Sequence, residues 1–176
     1  MADRLDRNLP PSEKESSVIF TMPRIRTLDF YGALCACKPD RKVSNDAMSA
    51  FSSILDGTES CEKILEDERY LAFMEKKPLK EGHVVVLPKT ETDFIFDLSS
   101  EELSGLFVFA QRVAQAIRRA IPCKKVGVAV IGIEVRHAHV HLVPLDSGAE
   151  LNFTLPRREF TPDQFRVTAE KIRAQI

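Results

Sequence analysis

The sequence predicts an α+β domain: an antiparallel sheet of about five strands with a long helix packed on one face, a short N-terminal helix and a C-terminal helix. Three observations predict it. Leu103, Leu106, Phe107, Ala110, Val113, Ala114, Ile117 and Ile121 form one apolar stripe at helical spacing. Short β-prone runs separated by turn residues lie on both sides of that stripe. The 176 residues, 44% of them hydrophobic and 29% charged, suit a single hydrophobic core.

Residues 1–47 carry mixed charge, the Pro10-Pro11 break and isolated apolar patches such as Val18-Ile19-Phe20, so a partly disordered extension is expected ahead of a domain over 48–176. Ala47, Ala50, Phe51, Ile54 and Leu55 recur at helical spacing and end at Asp56-Gly57, where the glycine suits a left-handed cap. Two β runs flanking Asp67-Glu68-Arg69 then read as a hairpin. Gly82 introduces the run from His83 to Leu87, a third strand stopped by Pro88. Ser99 with Glu102 makes a capping box for the long helix, which Pro122 terminates. Residues 125–133 and 138–144 supply two further strands of a meander-like sheet. In Thr161-Pro162-Asp163-Gln164 a second capping box carries proline at the first helical position, with Phe160 and Phe165 placed to staple the terminal helix.

Charge removes several function classes. Lys and Arg total 25 against 26 for Asp and Glu, a net charge of −1, so no bulk basic field attracts nucleic acid or an anionic membrane. No apolar run approaches the roughly 20 residues of a membrane helix. The four cysteines, Cys35, Cys37, Cys61 and Cys123, form neither a disulfide framework nor a Cys-x-x-Cys pair. With Asp3, Asp6, Glu13 and Glu15 near the start, unlike a transit peptide, a cytoplasmic location is expected.

The chain has only four histidines, His83, His137, His139 and His141. On an extended strand, period-two geometry sends His137, His139 and His141 to one face and Ala138, Val140 and Leu142 to the other. Grouping three imidazoles inside a protein is costly unless each has a partner, so the row reads as the wall of a cleft. Two chemistries use such a row. Neutral ring nitrogens can hold zinc, with His83 or a carboxylate completing the set. Alternatively, one imidazole can attack phosphorus while its neighbours handle phosphate oxygens and protons.

The string from His137 to Val143 resembles the motif His-φ-His-φ-His-φ-φ of the histidine triad (HIT) family, φ being apolar. The stretch from Lys63 through Phe73, Pro78 and Gly82 to Lys89 is similar to the first half of that fold. The resemblance implies a nucleotide-binding phosphoramidase or nucleotidyl hydrolase, cleaving a purine nucleotide conjugate at its α-phosphate through a nucleotidyl-histidine intermediate. It implies His139 as nucleophile, His137 and His141 at phosphate oxygens or the leaving group, and His83 completing the imidazole set. Phe51, Ile54 and Phe73 would pack against the base, and Glu75 would accept from the ribose hydroxyls. On composition alone the three apolar residues read as core and Glu75 as a solvated loop residue. A homodimer is also implied.

Two departures from the family pattern matter. Where some members hold zinc through Cys-x-Phe-Cys, this chain reads Ser49-Ala50-Phe51-Ser52, so neither structural zinc nor another cofactor is expected. Ahead of the triad stands Ile131-Gly132-Ile133-Glu134-Val135-Arg136, in which Glu134 would repel an adjacent phosphate unless it turns away or Arg136 offsets it. Two other readings stay open: a non-catalytic nucleotide-binding or scaffold module, and a zinc-dependent hydrolase using the histidines as ligands.

Overall fold

A computed structural model of the chain describes residues 51–176. The expected extension, the opening of the first predicted helix, Cys35 and Cys37 lie outside the described residues. The remainder of that helix is a single turn, α1 (Ser52–Leu55), after which Gly57 adopts the left-handed region at φ 80°, as its place after Asp56 suggested.

Strands β1 (Lys63–Glu66) and β2 (Tyr70–Met74) form the hairpin, closed by Asp67 Oδ1, which accepts from the Arg69 and Tyr70 N–H groups at 2.8 and 2.7 Å. Strand β3 (Val84–Pro88) continues the antiparallel ladder. The chain then crosses through helix α2 (Ser100–Ala120) to β4 (Lys125–Ala129) and returns in β5 (Val140–Leu145). The sheet order is β1-β2-β3-β5-β4, which corrects the meander: β5 inserts between β3 and β4. All six residues of β5 are buried and demand an interior place, whereas β4 exposes Lys125 and Val128 and tolerates an edge. The fourth strand also stops short of Ile133, because Gly132 at φ 68° turns residues 130–139 into a loop. The last strand likewise begins at Val140, since the Ala138 N–H donates to the Thr92 carbonyl rather than to the sheet.

Alternation gives the sheet two faces. Tyr70, Ala72, Met74, Val84, Val86, Val140 and Leu142 pack against Leu106, Phe109, Ala110, Val113 and Ile117 of α2. Both halves of the Ser99–Glu102 capping box form. Gly105 is required here: a Cβ would stand 2.2 Å from Tyr70 Oη, whose hydroxyl donates to the Glu102 carbonyl at 3.0 Å. Helix α3 (Pro162–Arg173) adds Ala169 and Ile172 to this core and carries the predicted Thr161 cap, with the Phe160 and Phe165 rings 5.7 Å apart. The opposite face holds Leu71, Phe73, Val85 and Leu87 under Phe51 and Ile54, and beside them lie the histidines. Among the described residues no helix is long and apolar enough to cross a membrane.

Candidate active site

The β3–β5 register pairs Val85 with His141 and leaves His83, just before β3, diagonal to it on the same face. His139 immediately precedes β5. The four imidazoles are buried, with His83 and His137 at 0%, His139 at 5% and His141 at 8% exposure. Burial is tolerated because no buried side-chain nitrogen or oxygen among the described residues lacks a partner.

Those partners determine where each proton sits. The Leu79 backbone N–H donates to His83 Nδ1 at 3.1 Å, so in the neutral ring His83 Nε2 carries the hydrogen. It donates to His141 Nδ1 at 3.0 Å, which leaves the hydrogen of His141 on Nε2. That hydrogen points to His139 Nε2 at 3.1 Å, while His139 Nδ1–H donates to the His137 carbonyl at 2.6 Å. His139 Nε2 therefore holds a lone pair, and one backbone amide sets the tautomer of three rings. Burial foremost, then the neighbouring His141 and the Arg157 charge, push His83 down to about 3. His141 is likewise pushed to about 3 by burial, followed by His139 and Arg157, and burial lowers His137. These rings are neutral at pH 7.

His139 borders a cavity of about 460 Å³, within the usual range for small-molecule sites. It is lined by Phe51, Glu75, Lys77, the loop from Ile131 to Val135, His139, His141, Phe153 and Arg157. Of the apolar trio, only Phe51 reaches the cavity, its ring 5.1 Å from His139 and 5.6 Å from Phe73. Ile54 and Phe73 are buried behind it. His137, expected near phosphate oxygens, lines no part of the cavity: its ring packs 6.0 Å from Phe51 and Nε2–H donates to the Pro88 carbonyl at 2.8 Å. Its contribution to His139 is its carbonyl. His83 likewise lines no part of the cavity and is hydrogen-bonded to His141.

Residues 57–148 match the HIT domain family. The chain belongs to the histidine triad family. This HIT protein is 31% identical over 107 residues to an uncharacterized HIT-like protein of Mycobacterium tuberculosis, covering 58% of this chain and 74% of that one. The crystal structure of a zinc-bound histidine triad family protein from Mycobacterium smegmatis superposes with TM-score 0.61 at 30% identity, over 71% of this chain and 90% of that one. A bis(5'-nucleosyl)-tetraphosphatase of Schizosaccharomyces pombe is 32% identical over 78 residues, 42% of this chain and 43% of that enzyme.

The HIT site also brings together a donor set suited to a cation. One carboxylate oxygen of Glu75 and one nitrogen each of His83 and His141 lie within 4.8 Å of one another, and two imidazoles with a carboxylate fit zinc. A cation there would have to displace the proton shared by His83 Nε2 and His141 Nδ1. Cys61 and Cys123 are free thiols and line no part of this cavity. Glu134 is an exposed residue of the cavity lining and forms no ion pair with Arg136. Phe153 and Arg157 carry no mark in the sequence, because they lie in an aperiodic segment between elements where no spacing signals a site.

Proposed function

We propose that this HIT protein is a nucleotidyl hydrolase acting on purine nucleotide conjugates at the α-phosphate, with His139 as nucleophile and no obligatory metal. The observation that carries the reading is the proton order that leaves a lone pair on His139 Nε2, accepting from His141 Nε2–H at the edge of a cavity lined by Phe51. In the attack, the Nε2 pair forms the N–P bond while the bond from phosphorus to the leaving group breaks and its electron pair departs. A phosphate leaving group departs as its anion; an amine takes up a proton from water. His141 Nε2–H, released from His139, turns to a phosphoryl oxygen, and the His137 carbonyl holds the hydrogen on Nδ1 of the cationic nucleotidyl-imidazole. Water then forms the new O–P bond as the N–P bond breaks, its proton passes to solvent, a nucleoside monophosphate leaves and Nε2 regains its pair. Phe51 would face the base, backed by Ile54 and Phe73, and Glu75 would accept from ribose.

A bis(5'-nucleosyl)-tetraphosphatase among the relatives supports a nucleotide substrate. A second copy of the chain belongs to the proposal, supported by exposed Val128 on edge strand β4 with exposed Phe94, Phe96 and Ile133. Glu134 in the cavity favours a second reading, a binding module without turnover. Release of nucleoside monophosphate from any member of a panel of adenosine and guanosine phosphoramidates and dinucleoside polyphosphates, with chelator present, supports hydrolysis. Binding without turnover supports the module, and activity that needs added zinc supports a metallohydrolase.

A further inference from the structure

Ring nitrogens of the imidazole row are engaged with one another or with backbone groups, and no imidazole is a permanent cation to meet a phosphate. The cation must come from elsewhere. Among the described residues three cationic side chains are half-buried: Lys80, Lys89 and Arg157. Lys80 is paired with Asp146 at 2.6 Å and Glu150 at 3.2 Å, and Lys89 with Glu66 at 2.8 Å. Arg157 has no carboxylate at ion-pair distance among the described residues. Its guanidinium carbon instead lies 5.1 Å from the centre of the Phe153 ring. That ring sits 4.9 Å from His141, and both Phe153 and Arg157 line the cavity that His139 faces. A row of groups thus runs from Phe51 through His139, His141 and Phe153 to Arg157.

A partly desolvated guanidinium without a counter-charge is a standing cost, one that an incoming anion removes. Lys77, the other cation of the lining, is exposed on its loop and not fixed in this way. We propose that Arg157 is the anion receptor of this cavity, taking a non-bridging oxygen of the substrate's phosphate chain and holding it beside His141. This assignment rests on the nucleotide reading above and adds the residue that confers charge selectivity. Phe153 is its positioning residue, fixing the planar fork so that its N–H groups open toward the ligand.

The test compares adenosine and guanosine with their 5'-monophosphates, by calorimetry, on the full chain and its Arg157→Gln and Arg157→Lys variants. Arg157→Gln is expected to weaken the monophosphates ten- to thirtyfold and the nucleosides by less than twofold, with an unchanged melting temperature. Arg157→Lys recovers part of the loss, because the charge returns without the fork. Equal weakening of nucleosides and monophosphates, or none of either, overturns the Arg157 assignment and leaves the nucleotide reading standing. Failure of the unaltered protein to bind any of the four overturns both.

Discussion

The Leu79 N–H and His83 Nδ1, 3.1 Å apart and four positions apart in the chain, form the first bond of the series that ends on the His139 lone pair. An amide can only donate, so the direction of every later bond is set by this contact. His83 thus bonds to His141 without lining the cavity, and in the proposed mechanism it acts through that ring.

Removing His83 should disorder the protons rather than the pocket. His83→Ala is expected to lower kcat on the order of 10²-fold, the low end of what a positioned proton-handling group contributes, while KM changes little. The pH profile should shift as well, because His141 would then be free to take either tautomer. Steady-state kinetics across pH 5–9 checks this, and an unchanged profile would reduce His83 to packing.

Stability should carry the signature of the same neutral rings. His83 and His141 are held near 3 from an ordinary 6.5, so below about 6.5 the unfolded chain binds protons that the folded chain refuses. The stabilisation is complete above that value and declines as pH falls toward 3, by up to about 1.4 kcal/mol per unit for each titrating ring. Urea denaturation at pH 7.5 and 5.0 reads the difference above the carboxylate range. A His83→Gln, His141→Gln double variant should show a flatter dependence.

Much of this architecture is legible in the residue pattern, and the part that is not has a physical cause. Period-two alternation correctly sends Val140 and Leu142 to the helices and His141 away from them, and both capping boxes form where Ser99 and Thr161 stand. Strand order is a different matter: that β5 enters between β3 and β4 depends on burial of both its faces, a property of the assembled sheet. The site divides the same way. Its histidines are visible by type and spacing, whereas the Leu79 amide and Pro88 carbonyl are backbone groups that any residue supplies. Arg157 reaches the cavity from a segment without regular periodicity.

Glu75 separates a ribose site from a general phosphate site. It lines the cavity with one carboxylate oxygen accepting from the Lys77 N–H at 2.9 Å. Glu75→Gln is expected to cost about 1–3 kcal/mol in transition-state binding of a ribonucleotide substrate. An analogue lacking both ribose hydroxyls should be nearly unaffected. Parallel kcat/KM measurements on the two substrates decide it, equal losses assigning Glu75 no ribose contact.

Zinc should inhibit rather than activate. A cation held by Glu75, His83 and His141 takes the place of the proton between His83 Nε2 and His141 Nδ1 and interrupts the hydrogen-bond series that ends on His139 Nε2. Chelator-treated protein is expected to keep full turnover, and equimolar zinc to lower it at least tenfold, reversibly. Activity restored by zinc after chelation would favour a metallohydrolase.

The proposed mechanism turns on a covalent bond between His139 Nε2 and the α-phosphorus, and rapid acid-free quenching of the protein with α-labelled substrate tests it most directly. Tryptic mapping should place the label on His139 as an acid-labile, base-stable phosphoramidate. His139→Ala should carry no label and show no turnover, yet bind a nucleoside monophosphate within about tenfold of the unaltered chain. Substantial turnover by His139→Ala, or label on another residue, would contradict the mechanism.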